Sequence, residues 1–469
     1  MYRTIYIHIY IKYLLLIYGA RMKTEKTSLA AVGILLPEII IPKKNIDLHK
    51  WAVVACDQFT SEPSYWEDVS SYIGNAPSTL KLTFPEVYLG NNDDDRIKLI
   101  NKTMAEYINS DIFNMYSDSF FLINRKSANS STNRWGLIAA LDLEKYDYSA
   151  DSISLIRATE GTILDRIPPR KHIRKKAPLE LPHILVLIDD PDKTVLEPLI
   201  SIKGNLDIVY STDLMKNGGA ITAYRISEKK LISDIANALT KLADSEIFND
   251  KYNSRDVLLY AMGDGNHSLA TAKSCWEDLK NDSTYTPQEL NNHPARYALV
   301  EIENIFDPGI VFEPIHRVLF SGNKKKFFTE ISKNCNRYEI NKIESLEAIQ
   351  SIINERQFDL QKFGFSDAKG VYIVTMHSPK AKITAGTVQL AIDAYLLADK
   401  KAEIDYTHGE QITFELGQKE SNFGIFLPTI KKEEFFPAII EDGALPRKTF
   451  SMGEAQEKRY YMEARKITL

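Results

Sequence analysis

Val257 to Lys273 reads V-L-L-Y-A-M-G-D-G-N-H-S-L-A-T-A-K, and this stretch decides how the chain is organised. Val257 to Met262 has the length and apolarity of a buried strand, and Leu269, Ala272, Trp276 and Leu279 then recur at helical spacing on one face. Between them, Gly263-Asp264-Gly265-Asn266-His267 predicts a tight strand-to-helix corner carrying a carboxylate and an imidazole. Glycine allows positive φ and close backbone approach, and the free N–H groups of the new helix, near Ser268, favour an anion such as phosphate. Gly-Asp-Gly-Asn is also a common turn composition, and Asp and Asn cap helices, so residue types alone leave both readings open. His267 is less expected in such a turn than Ser or Lys, and an unperturbed histidine titrates near neutrality. The spacing fits neither the phosphate loop, nor the dinucleotide fingerprint, nor the nucleophile elbow.

Outward from this corner, strand-like and helical patterns alternate, which predicts a mixed α/β (α+β) protein. Strands are expected at Ala30 to Leu36, Trp51 to Ala55, Phe120 to Arg125, Trp135 to Leu143, Ile184 to Ile188, Tyr297 to Glu303, Gly370 to Met376, Phe423 to Leu427 and Arg459 to Arg465. Helices are expected at Asp94 to Met115, Leu231 to Leu242, Lys324 to Lys333, Ile343 to Glu355, Gln389 to Ala398 and Lys432 to Glu441, with a loop over Asn249 to Ser254. There is no internal repeat or low-complexity linker. The expected division is an α/β unit over 22–250 and a second over 251–469 that carries the corner.

The 469 residues are 44% hydrophobic and 26% charged, ordinary for a globular chain, and the net charge of -5 argues against non-specific nucleic-acid binding. Cys56, Cys275 and Cys335 lie far apart, so no disulfide framework or zinc ribbon is indicated and a reducing, cytoplasmic setting fits. The first 21 residues, rich in Ile, Tyr and Leu, are too interrupted for a membrane span. They resemble translated AT-rich upstream DNA, with Met22 opening an ordinary polar start, and are expected to be a non-native or disordered extension.

Several other residues carry candidate chemistry. Asp57 follows an apolar run, where a carboxylate serves acid or base work or caps a turn. Ile156 to Lys176 concentrates Arg157, Glu160, Arg166, Arg170, His172 and Arg174, a solvated loop or a phosphate-neutralising one, and Pro168-Pro169 predict a shaped loop rather than a helix. His316-Arg317 and Arg447-Lys448 are further candidates for an anion. None of the nine histidines forms H-x-x-x-H or H-E-x-x-H, while a magnesium ion held by carboxylates and substrate phosphates leaves no such signature.

W-A-V-V-A-C-D-Q-F at Trp51, I-R-A-T-E-G-T-I-L-D-R at Ile156, G-D-G-N-H-S-L-A-T-A-K at Gly263, F-D-P-G-I-V-F-E-P-I-H-R at Phe306 and L-P-R-K-T-F-S-M-G-E-A at Leu445 together resemble a family catalogued as domain of unknown function 1015. The resemblance spans about Ala30 to Lys466. The family's corner, often D-G-H-H-R, is similar to that of ParB/sulfiredoxin-like free serine kinases. The resemblance thus implies a ParB/sulfiredoxin-like core with additional α/β domains, and a small-molecule kinase that moves phosphate from ATP or ADP, with Mg2+, to the hydroxyl of free L-serine. Asp264, Gly265 and His267 match the motif; Asn266 stands where it has its first His, and Ser268 where it has Arg. On that basis Asp264, His267, Glu160 and Asp57 are the expected catalytic groups, with Asp264 the possible Mg2+ ligand. Gly265, Asn266, Ser268, Arg166, His316, Arg317 and Lys448 are the expected phosphate or nucleotide contacts. A non-catalytic nucleotide or amino-acid binding protein is the alternative, and a ParB-like nucleic-acid binder is disfavoured by the net acidity. Neither nucleic acid nor membrane is an expected partner.

Overall fold

The computed structural model describes residues 28–90, 92–128, 131–181, 183–282, 284–355, 357 and 359–469, so the extension expected at 1–21 lies outside the described residues. Two large sheets, one mixed and one antiparallel, position everything else. The ten-stranded sheet runs, in order, Asp207–Leu214, Gly219–Ile226, Phe120–Lys126, Asn133–Asp142, Tyr297–Asn304, Leu185–Ile188, Tyr260–Asp264, Ile156–Arg157 and Tyr146–Asp147, with Ile34–Leu35 pairing against the end of Asn133–Asp142. The seven-stranded sheet runs Arg337–Ile343, Gly370–His377, Leu360–Asp367, Phe423–Phe426, Phe312–Phe320 and Glu403–His408, and Phe450–Met452 pairs with the start of Phe312–Phe320. Tyr260–Asp264 and Tyr297–Asn304 lie inside the larger sheet, so the division expected at residue 250 cuts between hydrogen-bonded neighbours.

The period-two alternation of strand side chains divides the core. Phe120 and Leu122 enter a cluster with Ile232, Ile235 and Leu239 of the helix Lys229–Leu242, while Phe121 and Ile123 enter another with Trp51, Trp66 and Ile100. Closer to the corner, Val186, Tyr260 and Met262 meet Leu269, Ala272 and Trp276 of the helix Asn266–Lys280. Leu185, Leu187 and Ala261 point the other way, into the core of the smaller sheet. The corner is thereby clamped between the two cores. No helix among the described residues is long and apolar enough to cross a membrane.

Some elements differ from the sequence reading. Leu48–Trp51 is helical, started by the Asp47 carboxylate accepting from the N–H groups of His49 and Lys50, and beyond it only Val54 makes a bridge, to Tyr460. The long helix is Asp93–Asn109; Phe113–Tyr116 instead pairs with Ile39–Pro42, a partner invisible to local periodicity. Ile343 closes a strand, leaving only Ile349–Asn354 helical, and Asn249 to Tyr252 belong to the helix Ser245–Tyr252. Ile167–Arg174 is a helix despite Pro168 and Pro169, because both sit in its first turn, where a missing N–H costs nothing. Only Arg465–Lys466 is a strand in the final segment, with isolated bridges at Tyr460 and Ala464.

Candidate functional site

Two glycines shape the corner. The register between Tyr260–Asp264 and Leu185–Ile188 shifts between Met262 and Asp264, a bulge at Gly263 that re-aims the Asp264 carboxylate. A Cβ on Gly263 would meet Met452 Sδ at 2.8 Å. Gly265 has φ of 80°, the left-handed conformation that reverses the chain into the helix. The N–H groups of Asn266 and His267 then open the helix without an intrahelical acceptor, and their partial positive charge faces the mouth of the corner.

Asp264 uses both oxygens. Oδ1 accepts from the Gly265 N–H at 2.8 Å, and Oδ2 pairs with Lys458 Nζ at 3.1 Å. Burial alone would raise its pKa, but the Lys458 ammonium, with His183 and the Gly265 N–H, holds it below the ordinary carboxylate value. Lys458 also donates to Ser451 Oγ at 3.4 Å and is only 11% exposed, so it is a fixed cation. With one oxygen on a backbone N–H and the other on an ammonium, Asp264 does not fit as the anchor of a protein-built magnesium site. Among the described residues no group of three His, Cys, Asp or Glu side chains could hold a metal.

Glu160 arrives from the neighbouring strand. Ile156–Arg157 runs parallel to Tyr260–Asp264, and the chain beyond it is stitched to the C-terminal segment: Leu445 N–H donates to Thr159 O at 2.8 Å, and Lys448 N–H donates to Glu160 Oε1 at 3.2 Å. Burial pushes the Glu160 carboxyl up to about 7; Lys448 opposes the rise, Asp264 adds to it, and Arg317 opposes it. Asn266 holds this segment in place. Its Oδ1 accepts from Thr159 N–H at 3.2 Å and its Nδ2 donates to Thr159 Oγ1 at 3.4 Å, while Thr159 Oγ1 donates to Met262 O at 2.7 Å. The Asn266 amide is thus committed to positioning Glu160, and only its backbone N–H remains for an anion.

His267 Nε2 accepts from Ile163 N–H at 3.3 Å, which puts its proton on Nδ1. Burial, then the guanidinium groups of Arg170 and Arg166, with Arg447 adding to them against an opposing Asp57, lower its pKa to about 4. It is a neutral imidazole ringed by arginines. Ser268 Oγ lies 3.2 Å from Nε2 of the buried His183, whose Nδ1 is 3.1 Å from Tyr461 Oη. Because Tyr461 donates its one proton to Cys56 Sγ at 3.0 Å, its oxygen accepts from His183 Nδ1–H. Asp57 Oδ2 stands 3.6 Å from the same Nε2.

The structure therefore brings Asp264, Gly265, Asn266, His267, Ser268, Glu160 and Lys448 to one place, with Arg166 exposed on the adjoining turn Leu164–Arg166. His316 and Arg317 part company, because consecutive strand residues face opposite ways. His316 Nδ1 accepts from Leu427 N–H at 3.2 Å, on the side of Glu410. Arg317 is fully buried, donates to Gln389 Oε1 and to Arg447 O, each at 3.4 Å, and lies over the Tyr406 ring; it supports the Arg447 loop rather than an anion. Arg157 and Arg174 are likewise committed, to Ser154 O and Asp256 O and to Glu180. His183, Lys458, Tyr461 and Glu86, which pairs with Arg170, were not legible as site residues. His183 stands just before a buried strand, a weak signal of its own, whereas nothing local marks Lys458.

The corner thus sets a helix start beside a carboxyl raised to about 7 and several cations, on a mixed α/β scaffold. The chain belongs to the family described as "Protein of unknown function (DUF1015)", whose family model matches residues 40–395. No curated protein matches the sequence. Similar solved structures include a free serine kinase in complex with AMP, at 10% identity and a TM-score of 0.35 over 71% of this chain and 92% of that one. A conserved hypothetical protein from Pyrococcus furiosus is similar at 10% identity and a TM-score of 0.33, over 71% and 95%. A C-terminally truncated SbnI from Staphylococcus aureus is similar at 8% identity and a TM-score of 0.35, over 69% and 85%.

Proposed function

We propose that this protein is a cytoplasmic small-molecule kinase that transfers the terminal phosphoryl group of ATP or ADP to the hydroxyl of free L-serine, giving O-phosphoserine. The observation that carries the reading is Glu160: a carboxyl raised to about 7, held by the Lys448 N–H beside an open helix start. Phosphoryl transfer needs in-line positioning, neutralised phosphate charge and a base for the attacking hydroxyl. The Asn266 and His267 N–H groups, with Arg166, Arg447 and Lys448, supply donors and positive charge for phosphate oxygens. Glu160 takes the serine hydroxyl proton as the new O–P bond forms, and the bond from phosphorus to the bridging oxygen breaks to release the shortened nucleotide. Asp264, kept ionised by Lys458, fixes that ammonium rather than acting as the base. Magnesium would come with the nucleotide, since Asp264 offers it no free oxygen.

Incubating the purified protein with ATP or ADP, magnesium and L-serine, and reading O-phosphoserine by mass, tests the proposal. Nucleotide binding without turnover would instead support the binding-protein reading, which the Ser268 hydroxyl in place of a phosphate-gripping guanidinium favours.

A further inference from the structure

A cavity of about 160 Å3 reaches the corner at Ser268, between the helices Asp93–Asn109, Ile167–Arg174 and Asn266–Lys280. Glu160, the base assigned to the free acceptor, does not line it; the cavity has a nucleophile and a base of its own. Among the described residues three aliphatic hydroxyls line it, and two are spent: Thr83 donates to Thr79 O at 2.9 Å and Thr271 to His267 O at 2.7 Å, each back along its own chain. The third, Ser268, is half-buried, and its Oγ lies 3.2 Å from His183 Nε2. His183 is 8% exposed and gives Nδ1–H to Tyr461 Oη at 3.1 Å, so the neutral ring carries its lone pair on Nε2, toward that hydroxyl. A hydroxyl beside an imidazole whose other nitrogen is held by a third group is the arrangement that turns serine into a nucleophile.

The electrophile follows from the charge around Ser268. The same first helical turn carries Ser268 and the open N–H groups of Asn266 and His267, and Arg170, paired with Glu86 in the cavity wall, adds a guanidinium. Resting on the reading that a nucleotide's phosphates sit at this helix start, we infer that Ser268 is itself phosphorylated by that nucleotide, with His183 as its base. The bond from Ser268 Oγ to the terminal phosphorus forms and the bond from that phosphorus to the bridging oxygen breaks. The hydroxyl proton moves to His183 Nε2, and the shortened nucleotide leaves with the bridging electron pair. Asp57 Oδ2, 3.6 Å from Nε2, faces the imidazolium so formed. The phosphate would be a dianion at a helix start beside Arg170, where the helix dipole and the guanidinium both favour it.

The test incubates the full chain with ATP or ADP and magnesium, without and with L-serine, reads the intact mass and locates any phosphate by peptide mapping. The expected result without L-serine is one phosphate per chain, on Ser268. His183→Gln should slow that labelling by about a hundredfold or more, whereas Glu160→Gln, which removes only the free acceptor's base, should label as fast as the wild type. Phosphate on another residue, or His183→Gln labelled at the wild-type rate, would overturn the inference. Mapping the wild-type chain decides the site even if the glutamine variant at His183 does not fold. O-phosphoserine released while Ser268 stays unmodified in both arms sinks this inference and leaves the kinase reading standing. Phosphate on Ser268 with no free serine phosphorylated does the reverse, and neither product sinks both.

Discussion

Replacing Glu160 by Gln keeps the size of the side chain and its place against Lys448 N–H while removing the proton acceptor. The wild-type carboxyl titrates at about 7 rather than at its ordinary 4.5, so the active carboxylate is about half formed at pH 7 and about a tenth formed at pH 6. The kcat/KM of the wild type should therefore rise about tenfold per pH unit up to neutrality and level off above it. Glu160→Gln should lower kcat/KM by about a hundredfold to ten-thousandfold, on the order of 3 to 5 kcal/mol of transition-state stabilisation, and should erase that rising limb. Lys448→Met removes a charge that holds the Glu160 value down, so it should move the limb to higher pH. Folding provides the control. A carboxyl whose folded value is raised contributes stability that is fully present below pH 4.5 and lost as pH rises through about 7, so at pH 8 Glu160→Gln should melt no lower than the wild type. A rising limb in the ordinary carboxylate range, or a glutamine variant within tenfold of wild type, would refute Glu160 as the base.

Three other expectations follow from the corner. The His267 imidazole, lowered to about 4, should show constant ring proton shifts from pH 5.5 to 8 by NMR, and a midpoint near 6.5 would contradict its arginine-ringed burial. Gly265→Ala forces a side chain into the left-handed region, 3.1 Å from Ile184 Cα, and should cost about 1 to 3 kcal/mol, read as a lowered melting temperature. Lys458→Met leaves Asp264 with only the Gly265 N–H and should destabilise by about 1 to 3 kcal/mol, less than for a fully buried pair because the carboxylate is 26% exposed. The Asp264 value is depressed, so the pair's contribution is present above the ordinary carboxylate range and lost as pH falls through the lowered value; the variant's melting temperature should fall less steeply on acidification than the wild type's.

The corner was legible because its determinants are consecutive: an apolar run, two glycines and a helical repeat lie within one short segment. Leu269, Ala272 and Trp276 are buried together as their spacing implies. Glu160 and Lys448 were legible as chemistry but not as neighbours. The roles of His183 and Lys458 were not legible, because a histidine before a strand and a lysine near the C-terminus acquire meaning only when Ser268 and Asp264 come within reach. Where the sequence reading failed locally, long-range pairing decided: Phe113–Tyr116 extends because Ile39–Pro42 is beside it, and His316 and Arg317 separate because strand geometry divides them.

The contact between Lys448 and Glu160 joins residues 288 positions apart, and Lys458 reaches Asp264 from still nearer the C-terminus. During synthesis the larger sheet's strands are complete long before either lysine leaves the ribosome. The two lysines therefore arrive last, on the segments that flank the strand Phe450–Met452 of the second sheet. High contact order of this kind slows folding and sets its sequence. It also means that a nascent or clipped chain holds a nearly finished scaffold with an unpaired Asp264, so competence for chemistry is the last property this polypeptide acquires.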